Sequence, residues 1–168
     1  MAAPGWAFDD DTDPPVSRNR RLAVSGNPQT RDHGGGVPAP FEVSYRVTVT
    51  ARFEAAHNLI DYVGGPEPLH GHSYRVEAVL ESEKLQQYDL AVDFVPAKKA
   101  LETIAREFDY AYINDHPSFR GRNTSAENLA RYFAERLETS GALGWSRVVE
   151  VTVWEGPDNR ATYRADPV

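Results

Sequence analysis

The chain has 168 residues, of which 40% are hydrophobic and 26% charged, enough for one domain with a packed core. A net charge of −7 without a basic stripe argues against non-specific nucleic-acid binding, and no apolar run approaches the length of a membrane span. There is no cysteine, so disulfides are excluded and any metal site must draw on histidine and carboxylate ligands.

Residues 1–40 read as a disordered N-terminal tail and 41–168 as a single domain. The tail holds Pro4, Pro14, Pro15, Pro28, Pro38 and Pro40 and the run Gly34-Gly35-Gly36, with no sustained period of 2 or 3.6. Arg18, Arg20 and Arg21 form a small basic cluster that reads as a solvated face. Trp6-Ala7-Phe8 runs straight into Asp9, Asp10 and Asp11, which is no signal core, so a cytoplasmic protein is expected.

A first strand is expected from about Phe41 to Ala56. Tyr45, Val47, Val49, Ala51 and Phe53 alternate with Arg46, Thr48, Thr50, Arg52 and Glu54, and His57 continues the apolar face. Asn58 to Pro68 reads as a loop around Gly64-Gly65-Pro66. A second strand runs from about His70 to Glu81, with Tyr74, Val76, Ala78 and Leu80 on the face of His72. Asp93 caps a helix whose stripe is Leu101, Ile104, Ala105 and Phe108, and Pro96 is tolerated in its first turn. Asp109 to Asn123 is irregular. A second helix starts at Thr124, with Glu127 at capping-box spacing, buries Ala126, Leu129, Ala130, Phe133 and Leu137, and stops at Gly141. Arg147 to Glu155 is a third strand with Val149, Val151 and Val153 on one face. After the turn Gly156-Pro157-Asp158-Asn159, Arg160 to Arg164 is a fourth. The order β-β-α-α-β-β makes an α+β fold, a four-stranded antiparallel sheet with two helices on one face. Its exposed edges are a reason to oligomerise.

His70 and His72 are two apart and point to one side of a strand, and pairing with the first strand would bring His57 to them. Three neutral imidazoles with one position left open suit a catalytic zinc ion better than a structural one. Such an ion polarises hydroxyl or carbonyl oxygens, and a nearby carboxylate can move protons.

Phe53-Glu54-Ala55-Ala56-His57 and Leu69-His70-Gly71-His72-Ser73-Tyr74 resemble the zinc motifs of the 6-pyruvoyl-tetrahydropterin synthase / 6-carboxytetrahydropterin synthase family, and the similarity runs from about Val43 to Tyr163. The resemblance implies the tunnelling fold, whose subunits join sheets into an oligomeric barrel, here a trimer or hexamer, with active sites between subunits. It implies a pterin substrate, 7,8-dihydroneopterin triphosphate, and zinc on His57, His70 and His72. It implies that Glu155 anchors the pterin, with Thr124 and Ser125 nearby. Two positions depart from the family pattern. The usual cysteine before His-Gly-His is absent, and Glu67 stands three residues before His70. The usual Leu-Asp-His is Phe108-Asp109-Tyr110, which keeps Asp109, and His116 follows as a substitute for the lost relay histidine. The resemblance implies a 6-carboxytetrahydropterin or 6-pyruvoyl product, towards deazapurines such as queuosine. Glu67 matches instead the branch that releases 6-hydroxymethyl-7,8-dihydropterin for folate synthesis. A catalytically silent pterin- or zinc-binding homologue and a zinc hydrolase for another substrate are the readings from other classes.

Overall fold

The structure, a computed structural model, describes residues 44–165. The tail expected over 1–40 and the start of the first strand at Phe41 lie outside the described residues. Within them the chain runs β1 (Tyr45–His57), β2 (His70–Ser82), α1 (Phe94–Ala105), β3 (Ala111–Tyr112), α2 (Ala126–Glu138), β4 (Arg147–Glu155) and β5 (Arg160–Arg164). One sheet holds all the strands, in the order β3-β1-β2-β4-β5. It has five strands where four are expected, because Ala111–Tyr112 pairs in parallel with Ala55–Ala56. Two residues are too few to show any period in sequence.

The alternation in β1 and β2 does what it predicts. Val49, Ala51, Phe53, Ala55, Tyr74, Val76, Ala78 and Leu80 are buried on one face. Both helices cover that face, α1 against β1 and α2 against β4 and β5. Asp93 caps α1 by accepting from the Val95 amide at 2.9 Å, and Leu101, Ile104 and Ala105 point inward. Phe108 lies past the helix end and is still fully buried. The predicted apolar face of α2 is buried residue for residue.

Two local expectations are corrected. The cap of α2 is Ser125, not Thr124, and its hydroxyl meets the Asn128 amide. Thr124 is fully buried, with its side chain in an internal network. In β4, a register shift opposite Val79 and Leu80 turns Val148 into the core and leaves Val149 half-buried, while Val151 and Val153 face inward as expected. Beneath the far end of the β1–β2 hairpin, Phe53 stacks on Tyr74 with centroids 4.7 Å apart, and Phe108 and Phe133 close the cluster. This aromatic floor carries the functional site. No helix among the described residues is long and apolar enough to cross a membrane.

Candidate functional site

Hairpin register assembles the three imidazoles. His57 stands directly opposite His70, and His72 opposite Ala55. Ring centroids are 4.7 Å apart for His57–His70, 5.2 Å for His57–His72 and 4.8 Å for His70–His72. One ring nitrogen of each lies within 4.8 Å of the others, near enough for all three to share one cation.

Backbone carbonyls set the tautomers of two rings. His57 Nδ1 lies 2.8 Å from the Thr124 carbonyl oxygen, and His70 Nδ1 lies 2.9 Å from that of Pro68. A carbonyl only accepts, so each Nδ1 holds the proton and each Nε2 offers a lone pair. His57 Nε2 is buried with no hydrogen-bond partner, the condition of a ligand atom presented to a metal. Burial, with the neighbouring rings, holds His57 and His72 below the ordinary imidazole value, although Thr124 and Glu67 pull His57 the other way. The neutral form that binds metal is therefore favoured near pH 7. The donor set fits a divalent ion such as zinc.

A polar network braces His57 from behind. Asn114 Oδ1 accepts from the Asn58 amide at 3.2 Å and from the Thr124 hydroxyl at 3.1 Å. Asn114 Nδ2 donates to the Asn58 carbonyl at 2.7 Å. One side chain thus ties the end of β1 to the segment before α2. Sequence reading gave Asn114 no role, and its only signal was its place in Ile113-Asn114-Asp115.

Glu67 and Glu155 open on the same pocket as His57 and His70, a cavity of about 260 Å³ that Ser125 also lines. Glu67 is fixed at both ends: its amide donates to Leu59 O at 2.9 Å, and its Oε2 accepts from Leu59 N at 3.2 Å. Glu155 Oε1 sits 3.9 Å from His57 Nε2. Burial, then the like charge of Glu127, raises the Glu155 carboxyl above its ordinary value. Its Oε1 is buried without a hydrogen-bond partner. Asn159, in the turn, and Arg160, which opens β5, also reach this pocket; sequence reading gave neither a place in the site.

Three expected site residues stand apart. Thr124 braces His57 from behind and does not line the pocket. Asp109 accepts from the Glu54 amide at 3.0 Å, at the β1–β3 edge. His116 is held elsewhere: its Nε2 is 3.4 Å from Glu107, its Nδ1 accepts from the Ser118 amide, and its ring packs on Phe108 and Tyr132. It does not join the histidine cluster. Beside His72, an open cleft of about 540 Å³ is bounded by Tyr110 and Tyr112, and Tyr110 is 86% exposed.

Comparison with known proteins bears on this arrangement. The sequence model of 6-pyruvoyl tetrahydropterin synthase matches residues 46–166. A 6-carboxy-5,6,7,8-tetrahydropterin synthase of Aquifex aeolicus is 28% identical over 162 residues, 74% of this chain and 100% of that protein. A dihydroneopterin monophosphate aldolase of Pyrococcus furiosus is 30% identical over 111 residues, 66% of this chain and 90% of that protein. Among solved structures, the 6-pyruvoyl tetrahydropterin synthase of Caenorhabditis elegans superposes with a TM-score of 0.61 at 20% identity, covering 74% of this chain and 97% of that one. A catalytic-residue mutant of the Plasmodium vivax enzyme, glutamate changed to alanine, does so with 0.61 at 18%, covering 74% and 99%. The architecture is the tunnelling fold of these neighbours.

Proposed function

The chain belongs to the 6-pyruvoyl tetrahydropterin synthase family, and on that premise we propose a zinc-dependent lyase that cleaves the side chain of a phosphorylated 7,8-dihydroneopterin, with Glu67 as base. Pterin side-chain lyase or synthase chemistry follows from the family; the metal, the substrate and the bond broken are the proposal. The observation that carries it is the Glu67 carboxylate, clamped by Leu59 and opening on the histidine pocket, in a chain without cysteine. The glutamate changed in the Plasmodium vivax mutant, and the aldolase among the relatives, support the same reading.

His57, His70 and His72 would hold the zinc, which when bound polarises the vicinal side-chain hydroxyls and steadies negative charge on oxygen. Glu155 receives the ring N–H and amino edge of the pterin as a two-oxygen acceptor. Glu67 takes the proton of the C2′ hydroxyl. The C2′ carbonyl forms, the C1′–C2′ bond breaks, and its electron pair passes into the C6–N5 imine of the ring. Protonation at C1′ gives 6-hydroxymethyl-7,8-dihydropterin, and the phosphorylated two-carbon aldehyde leaves. Ser125 and the N-terminus of α2 attract the phosphates. In this proposal Asp109 and the exposed Tyr110, away from the pocket of their own chain, would serve the site of a neighbouring copy in a trimer or hexamer, and His116 takes no part.

A second reading, the 6-carboxytetrahydropterin route, is favoured by the longer alignment with the Aquifex aeolicus protein. Product identity separates the two. Metal-analysed protein is incubated with dihydroneopterin mono- and triphosphate, beside Glu67→Gln and His70→Ala, and products are identified by mass spectrometry. The expected result is a hydroxymethyl product lost in both variants, with metal kept in Glu67→Gln and lost in His70→Ala. A 6-carboxy product would support the second reading. Bound zinc and pterin without product would mean a silent binder.

A further inference from the structure

Glu67 sits on a loop, and a loop carboxylate that moves protons must be held still. Residues 58–68 form that loop, between β1 and β2. Its two arms pair at Leu59 and Glu67: the Glu67 amide donates to the Leu59 carbonyl at 2.9 Å, and the Leu59 amide donates to Glu67 Oε2 at 3.2 Å. Further out, Tyr62 and Gly65 exchange two backbone hydrogen bonds, of 3.0 and 3.1 Å. The loop is therefore one hydrogen-bonded unit that carries Glu67.

The tip of this unit is strained. Val63 has a φ of +42° and Gly64 one of +90°. A β-branched residue is rare in the left-handed region, and Val63 is 91% exposed, so packing does not compensate. Such a turn persists only where its surroundings hold it. One side chain supplies the hold. Asn123 Oδ1 accepts from the Ile60 amide at 2.8 Å and from the Asp61 amide at 3.3 Å, and its Nδ2 donates to the Asp61 carbonyl at 3.1 Å. Among the described residues, no other group outside the loop hydrogen-bonds to residues 60–66. Asn123 is itself fixed, because its carbonyl accepts from Asn128 Nδ2, in α2, at 2.9 Å.

We infer that Asn123 is a positioning residue, which fixes the inner arm of the loop through Ile60 and Asp61 and so aims the Glu67 carboxylate into the histidine pocket. The amides of Leu59, Ile60 and Asp61 are consecutive: Glu67 takes the first and Asn123 the next two. With Oε2 tied to Leu59, Oε1 is the oxygen left to accept a proton. Asn123 does not line the pocket and acts only through the loop. The inference rests on the proposed role of Glu67 as base.

The test is steady-state turnover of dihydroneopterin monophosphate by zinc-loaded wild type, Asn123→Ala, Asn123→Asp, His116→Ala and Glu67→Gln. Zinc content and urea unfolding are measured alongside. Asn123→Ala should lower kcat about tenfold and change KM less than about twofold, because the base is misplaced while the metal ligands and Glu155 are untouched. Its zinc content should be that of wild type. Asn123→Asp keeps the oxygen that accepts from both amides and should recover most of kcat. His116→Ala controls for lost stability and should keep its turnover. Wild-type kcat in Asn123→Ala, a fall matched by His116→Ala or by loss of zinc, or no recovery in Asn123→Asp overturns the inference and leaves the role of Glu67 standing. Undiminished turnover by Glu67→Gln, or none by wild type, overturns the proposed function, and this inference with it.

Discussion

Removing the Asn114 side chain should loosen both the fold and the metal site. Asn114→Ala deletes three hydrogen bonds: from the Asn58 amide, from the Thr124 hydroxyl and to the Asn58 carbonyl. Each contributes roughly 0.5–1.5 kcal/mol net, and the partners are left unpaired. Asn114 is half-buried, so water takes up part of the loss, and the expected cost is about 2–3 kcal/mol. His57 immediately precedes Asn58 in the chain and leans on the Thr124 carbonyl, so the change also frees a metal ligand. Loss of such outer support lowers metal affinity by about 10–100-fold. Urea unfolding read by tryptophan fluorescence gives the first quantity, and competition with a zinc-responsive dye gives the second. A loss under about 0.5 kcal/mol with unchanged zinc affinity would refute the reasoning.

Other outcomes follow from the same contacts. Hydrogen bonds from Arg46 and Ser44, with the Arg147 charge, outweigh desolvation and hold the Glu81 carboxyl below its ordinary value. Its contribution is therefore present above the carboxylate range and lost as pH falls through it, so Glu81→Gln should differ from wild type near pH 7 and converge with it in acid. The gap should be only about 1 kcal/mol in denaturant titrations, since both guanidiniums are largely exposed. His116→Ala should cost about 1–3 kcal/mol of stability in urea unfolding, yet leave zinc content and turnover unchanged. Zinc at 100 times its dissociation constant should stabilise the fold by about 2.7 kcal/mol, seen as a rise in thermal midpoint that a chelator reverses. Because His57 and His72 stay neutral near pH 7, zinc should be retained there and released as pH falls below the ordinary imidazole value of about 6.5, which equilibrium dialysis can follow.

Much of this molecule is legible in its sequence for a simple reason. Strand alternation in β1 and β2 decides both what is buried and where His57, His70 and His72 point, so the pattern that predicts the hairpin also predicts the cluster. The stripes of α1 and α2 are equally direct. Less was legible where a side chain's role depends on partners distant in sequence. Thr124 has the composition of a helix cap, but the space behind His57 claims it and Ser125 caps instead. Asn114 braces a residue 57 positions earlier only because a two-residue parallel strand returns the chain beside β1. His116 resembles a spare relay until Glu107, Phe108 and Tyr132 are seen around it.

The most direct test of the account is turnover of dihydroneopterin monophosphate by the zinc-loaded chain in deuterated water. Cleavage of C1′–C2′ with proton delivery to C1′ predicts a hydroxymethylpterin carrying one non-exchangeable deuterium on C1′, released together with a phosphorylated two-carbon aldehyde, and absent with Glu67→Gln. A product that keeps the whole side-chain carbon skeleton, or undiminished cleavage by Glu67→Gln, would contradict it.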